Sequence, residues 1–153
     1  MARIPVEDEL AIRELYARYC WALDTGDTDG YCDLFTDDAE ATEETASGGL
    51  EVLKGRDDIR KLVLKFHERP DFPGHQHQME QFIFEPDPLG RPNRWVVRTY
   101  AWATINRPPE HPILHWCGHV RDEVVKVDGE WKIAAKDIMG WAGKVLERFG
   151  PRS

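Results

Sequence analysis

Apolar residues recur every three or four positions along the first part of the chain, which is the spacing of one face of an α-helix. Between Glu7 and Leu23 these positions are Leu10, Ile12, Leu15, Tyr16, Tyr19, Cys20 and Leu23. Residues 7–9 are acidic and would lie in the first turn, where the helix dipole favours negative charge. Gly26 follows the pattern, and glycine is common just past a helix end. We therefore predict a long amphipathic helix over residues 7–23.

Two more helices and one strand are predicted before residue 70. Asp27 can cap a short second helix that carries Tyr31, Leu34 and Phe35. A first strand is predicted at Ala39–Thr45, followed by a loop at 46–49. A third helix opens at Gly55 and carries the apolar residues Ile59, Leu62, Val63 and Phe66.

The periodicity changes from helical to extended after Pro70 and Pro73. The strands predicted from this pattern are His75–Phe84, Trp95–Asn106, Leu114–Val127 and Trp131–Ile138. Hairpin turns are indicated at Pro88-Leu89-Gly90 and at Asp128-Gly129. The order of elements predicts a single α+β domain over residues 1–153, with antiparallel strands in its second half.

The composition of the chain indicates which classes of protein it can belong to. With 153 residues, 41% of them hydrophobic and 31% charged, the chain is typical of a folded globular protein. The net charge is −8 and the basic residues form no cluster, which argues against nucleic acid as a partner. No apolar run approaches the roughly 20 residues of a membrane span. The start MARIPVEDEL is unlike a signal peptide, and the three cysteines form no CxxC pair, so we expect a cytoplasmic protein with reduced thiols.

Asp24 and His77 are the first candidates for chemistry. Asp24 ends the first helical pattern and His77 begins a strand, so a helix laid on a sheet can bring the two side chains together. A carboxylate beside an imidazole makes a general base, because it fixes the tautomer and stabilises the imidazolium. Two alternatives stay open: Asp24 could accept N–H groups of the Thr25–Asp27 turn, and Tyr19 on the apolar stripe could be a core residue.

His75 and His77 point to the same face of a strand, and with His67 they would form a set of three possible zinc ligands. His67 belongs to the preceding helix, however, and two prolines intervene. We therefore expect no metal site.

Aromatic residues are concentrated in the strand half of the chain. Most aromatic side chains of this kind belong to a core or an interface. A cavity for a flat ligand would use a few as walls, and the residues predicted to bind substrate are Tyr100, Trp102, Trp116 and Val120. His115, Cys117 and His119 alternate with Trp116 and Val120, and the sequence alone does not decide which of the two faces lines a cavity.

Five segments together carry a resemblance to a known family. They are IRELYARYCWALDTGD, LFTDDAE, GRDDIR, HQMEQ and GHVRDEVVKVDGEWKI. The chain resembles the SnoaL-like branch of the NTF2-like superfamily. The resemblance implies an α+β cone in which a curved mixed or antiparallel sheet wraps around a long N-terminal helix, with two further helices.

Within this superfamily the chain is most similar to cofactor-independent dehydratases such as scytalone dehydratase and the bile-acid 7α-dehydratase. These enzymes have an aspartate near the end of the first helix and a histidine on the strand after the third helix. The bile-acid enzyme also has a tyrosine five residues before the aspartate, but it has an arginine where this chain has Gly140. The resemblance implies catalytic roles for Tyr19, Asp24 and His77, without cofactor or metal.

The sequence thus predicts a cofactor-independent lyase of the dehydratase kind, with a small hydrophobic, cyclic hydroxylated carbonyl compound as substrate. An isomerase or cyclase using the same base is one alternative. A non-catalytic ligand-binding module or the small subunit of a dioxygenase is another. We also expect a homotrimer or homodimer, because one face of the sheet covers the core and the other also carries large apolar residues.

Overall fold

The computed structural model describes residues 3–45 and 47–141. Within these ranges the chain forms three helices: α1 (Val6–Thr25), α2 (Thr28–Asp33) and α3 (Gly55–His67). It also forms six strands: β1 (Phe35–Glu44), β2 (Leu50–Lys54), β3 (His75–Pro86), β4 (Arg94–Ile105), β5 (Ile113–Val127) and β6 (Glu130–Gly140).

The six strands form one curved, open sheet in the order β2-β1-β6-β5-β4-β3. β1 pairs parallel with β6, and all other neighbours pair antiparallel. The helices lie on the concave side, where α1 contacts β3 and β6 and α3 contacts β1 and β2. The predicted α+β cone with a mixed sheet is therefore confirmed.

The apolar stripe of α1 forms the centre of the core. Its buried residues include Ile12, Leu15 and Tyr16, and they join one cluster with Val124 and Ile133 of the sheet. Burying each large aliphatic side chain stabilises the fold by about 1.5–3 kcal/mol. Leu10, which also belonged to the predicted stripe, is exposed.

Two features of β1 and β2 differ from the sequence prediction. β1 begins at Phe35 rather than Ala39, and β2 was not predicted. β2 lies at the edge of the sheet, and every β2 residue except Leu53 is exposed, so the strand has no strong apolar alternation. The predicted Asp128-Gly129 turn is confirmed, with φ values of 50° and 88° that suit a tight hairpin.

A bulge in β3 determines which side chains face α1. Gln81 has a φ of 58°, and the pairing with β4 shifts between Glu80 and Ile83. Before the bulge the odd-numbered residues face the concave side, whereas after it Phe82 and Phe84 pack on the core.

No helix among the described residues is long and apolar enough to cross a membrane.

Candidate functional site

A cavity of about 320 Å³ opens between the concave face of the sheet and the three helices. Its apolar wall consists of Leu23, Leu62, Phe66, Met79, Ala101, Ala103, Trp116, Val120 and Ile138. Its polar wall consists of Tyr19, Tyr31, Glu43, Glu44, Thr45, Lys65, His75, His77, Gln78, His115 and Lys136. The cavity thus combines an apolar interior with several groups able to exchange or donate protons.

Asp24 and His77 are in direct contact. The Asp24 Oδ1 atom lies 2.5 Å from His77 Nδ1, and the backbone N–H of His77 donates to Asp24 Oδ2 at 2.8 Å. Their side chains are only 17% and 20% exposed, respectively. Because an ionised carboxylate can only accept, Nδ1 carries the proton and Nε2 of the neutral ring is left as a proton acceptor.

His77 lies between the cavity and a surface groove and lines both. Asp24 lines the groove but not the cavity. Asp24 is in the last turn of α1, where the helix dipole disfavours negative charge. Its two hydrogen bonds to His77 offset that cost and place the carboxylate behind the ring as seen from the cavity.

Tyr19 and Tyr31 form a hydrogen-bonded pair in the wall of the cavity. The Tyr31 hydroxyl donates to the Tyr19 hydroxyl at 3.2 Å, and the ring centroids are 5.0 Å apart. Burial is the main cause that raises the pKa of both phenols well above the usual value. Both hydroxyls therefore stay protonated, and the proton of Tyr19 remains available for a ligand. Tyr31 was predicted only as a residue of the short second helix.

Lys136 is a further residue of the cavity that the sequence did not indicate. Its Nζ atom donates to Asp122 Oδ2 at 2.8 Å, and the Tyr16 hydroxyl donates to the same oxygen at 2.6 Å. The ammonium also lies 4.2 Å from the centroid of the Tyr19 ring. The sequence gives no hint of this pair, because Asp122 lies between the charged residues Arg121 and Glu123, and Lys136 is followed by Asp137.

The four predicted substrate-binding residues divide into two pairs. Trp116 and Val120 lie in the cavity wall. Tyr100 and Trp102 do not, because β4 turns Ala101 and Ala103 toward the cavity and its even-numbered neighbours to the opposite face. Tyr100 is 50% exposed.

Histidine and phenylalanine side chains cluster on the α3 side of the cavity. His75 stacks on His115 with 5.1 Å between ring centroids, and it contacts Phe66 and Phe72. Burial and the neighbouring His77 and His115 lower the pKa of His75 to about 4, so this ring is neutral near pH 7.

His67, the third histidine considered as a zinc ligand, packs edge-on against Phe72 with 4.9 Å between ring centroids. Its Nε2 atom lies 2.7 Å from the Leu23 carbonyl oxygen, near the end of α1. Within residues 3–45 and 47–141, no three His, Cys, Asp or Glu side chains are arranged to hold a metal ion.

The profile of the SnoaL-like domain family matches residues 5–137, and the chain therefore belongs to this family of the NTF2-like superfamily. A comparison with curated protein sequences gives no significant match.

Several solved structures have the same fold. An NTF2-like protein with a cystatin-like fold from Novosphingobium aromaticivorans superposes with a TM-score of 0.77 at 21% identity, over 94% of this chain and 88% of that one. A candidate scytalone dehydratase from the same organism gives a TM-score of 0.72 at 22% identity, over 90% and 86%. A candidate aromatic ring hydroxylase, also from this organism, gives 0.73 at 23% identity, over 92% and 94%. At these identities the likeness establishes the fold.

Proposed function

We propose that this protein is a cofactor-independent lyase of the dehydratase kind. Its substrate would be a small hydrophobic, cyclic hydroxylated carbonyl compound. The observation that carries this proposal is the Asp24–His77 contact, in which the carboxylate engages Nδ1 of an imidazole that lines the cavity and leaves Nε2 as the proton acceptor.

The proposed reaction begins with proton abstraction. His77 Nε2 takes a proton from a carbon next to the carbonyl group, and Asp24 stabilises the imidazolium that forms. Tyr19, which accepts a hydrogen bond from Tyr31, donates to the carbonyl oxygen as negative charge develops there. The imidazolium then protonates the departing hydroxyl group, the C–O bond breaks, a C=C bond forms, and one water leaves.

The dimensions and lining of the cavity support this class of substrate. A volume of about 320 Å³ falls at the small end of ligand-binding cavities, which hold about 300–1,000 Å³. Aliphatic and aromatic side chains such as Leu62, Met79 and Trp116 form much of its wall. A compact ring system with few polar groups suits such a cavity better than a sugar or a peptide.

Two alternatives use the same cavity. An isomerase or cyclase would use His77 as a base without losing water, so its product would keep the mass of the substrate. A non-catalytic binding module or dioxygenase small subunit would turn nothing over. The structural likeness to a candidate aromatic ring hydroxylase is the observation that favours this second alternative.

The test is a panel of cyclic hydroxyketones incubated with wild type, His77→Gln and Asp24→Asn, with products measured by mass spectrometry. We expect a product lighter by one water, no turnover with His77→Gln, and a rate roughly a hundredfold lower with Asp24→Asn. His115→Gln is the matched control, since it removes another histidine of the cavity and should keep most of the activity. Activity should also fall in acid, because only a neutral imidazole accepts a proton.

Full activity of Asp24→Asn would refute the role of the pair. A product of unchanged mass would identify an isomerase or cyclase instead.

A further inference from the structure

Lys136 places a buried positive charge in the wall of the cavity. Its exposure is 0%, and it projects from β6 toward α1. Removing an ammonium group from water is unfavourable unless other groups replace its hydration. Within the described residues the ammonium makes one hydrogen bond, to Asp122, although it has three N–H groups.

The ion pair of Lys136 and Asp122 is oriented with respect to the cavity. Lys136 belongs to the cavity wall, whereas Asp122 and Tyr16 do not. Asp122 accepts hydrogen bonds from both Tyr16 and Lys136, so its negative charge is held behind the ammonium. Lys136 is therefore the member of the ion pair that borders the ligand space.

Two tyrosine rings pack against the Lys136 ammonium without adding a second negative charge beside it. The rings of Tyr19 and Tyr16 lie 4.2 Å and 5.4 Å away and attract a cation through their π-electrons. Glu43, an acid on another part of the cavity wall, forms an ion pair with Lys65. Asp122 is the acid that contacts the Lys136 ammonium directly, at 2.8 Å.

We propose that Lys136, held by Asp122, stabilises negative charge on a ligand oxygen in this cavity, which therefore binds enolates and phenolates in preference to neutral carbonyl compounds and phenols. This inference rests on the proposed function, since the oxygen is the carbonyl oxygen of the substrate. It narrows the substrate class to compounds whose C–H bond is acidified by a conjugated carbonyl group.

The proton balance of this step is simple. When His77 takes the proton, the C–H electron pair forms a C=C bond and the carbonyl oxygen gains the negative charge. Lys136 keeps its own proton and acts only by charge and hydrogen bonding. A preorganised donor in a dry cavity stabilises that oxygen more than water does.

The test uses 4-nitrophenol, a flat ligand whose phenolate absorbs visible light and whose neutral phenol does not. Its absorbance is titrated against pH in the presence of saturating His77→Gln protein, so that no imidazolium at position 77 contributes. We expect at least a tenfold preference for the phenolate, seen as a lower apparent pKa of the bound nitrophenol. The double substitution Lys136→Met with Asp122→Asn removes both charges and should abolish the preference.

Lys61→Met in the same His77→Gln background is the control, because it removes an exposed lysine of α3 that does not line the cavity, and the preference should remain. Circular dichroism checks that each variant folds. A preference that survives the double substitution would overturn the inference. The inference would also be overturned if 4-nitrophenol did not bind the His77→Gln protein, or if it bound only as the neutral phenol. Neither of these two results depends on whether the doubly substituted protein folds. The His77→Gln protein is expected to catalyse no reaction, so the nitrophenol titration measures binding alone. A failure of the proposed function in the substrate panel can therefore be told apart from a failure of the phenolate preference.

Discussion

Asp24 offers both of its carboxylate oxygens to His77, one to the ring and one to the main chain. The same side chain therefore orients an imidazole and ties the end of α1 to the start of β3. An imidazole fixed in this way needs no rearrangement before it accepts a proton. Among the described residues the His77 ring is hydrogen-bonded through Nδ1, which leaves Nε2 to meet a ligand.

His75 makes the stability of the fold depend on pH. Its pKa is lowered to about 4 in the folded protein, whereas an unfolded histidine titrates near about 6.5. The unfolded chain therefore binds more protons between these values, and the stability contributed by the neutral ring is lost as pH falls through that window. His75→Phe should reduce the drop in melting temperature between pH 7 and pH 5, measured by thermal unfolding.

The exposed His111 provides the control for this experiment. His111→Phe should leave the difference between the two melting temperatures as in the wild type. A His75→Phe variant with the wild-type difference would show that His75 does not carry this pH dependence.

The sequence was a better guide to Asp24 and His77 than to the other residues of the cavity. Each of the two lies near the end of a clearly patterned element, and the resemblance to a family indicated both. Tyr100 and Trp102 were chosen for their aromatic character, but strand alternation offers two faces and the small Ala101 and Ala103 occupy the concave one. Lys136 could not be predicted, because a charged residue on a strand usually faces water and its partner lies on another strand.

At the scale of elements, the positions of strands within the sheet are harder to predict than the strands themselves. The four strands after residue 74 were predicted from alternation and turns. The parallel pairing of β1 with β6 joins segments that are distant in the chain, so no local pattern reports it. The bulge at Gln81 could not be predicted from the sequence either, because no glycine or proline lies at this position.

Gly118 allows the close approach of β5 to β6 beside the cavity. A Cβ atom here would clash with the Met139 carbonyl oxygen and would lie 2.5 Å from the Trp116 ring. Gly118→Ala should therefore lower the free energy of unfolding by about 1–3 kcal/mol, measured by urea denaturation, and displace Trp116 from the cavity wall.

The register partner Gly140 is the control for Gly118→Ala. Among the described residues, its added Cβ would meet the Glu44 carboxylate at 3.1 Å, which is the far end of a flexible side chain rather than backbone. Equal stability losses for Gly118→Ala and Gly140→Ala would contradict the explanation from close packing.

At the scale of the whole molecule, large apolar side chains remain exposed away from the cavity. Tyr100 and Trp141 contact each other with 5.1 Å between ring centroids, and both are exposed, as are Ile113 and Leu114 at the start of β5. Exposed apolar patches of this kind mark interfaces between proteins. We propose that the Tyr100–Trp141 pair lies in the contact between copies of the chain in a homotrimer or homodimer.

Light scattering at micromolar concentration tests this proposal. We expect the wild type to have the mass of a trimer or dimer, and Tyr100→Glu to lower it by placing a charge in the apolar contact. Leu89→Glu, at an exposed position in the β3–β4 turn, should leave the mass unchanged. A monomeric wild type would refute the proposal.

The central place of β6 in the sheet has a consequence for the growing chain during synthesis. β1 is complete early, yet one of its two neighbours is β6, which the ribosome adds about ninety residues later. Until then the backbone N–H and C=O groups along that side of β1 have no strand to pair with, and the same holds for β5. A chain interrupted before β6 therefore offers two unpaired strand edges to other chains, one on β1 and one on β5, and the arrival of β6 covers both.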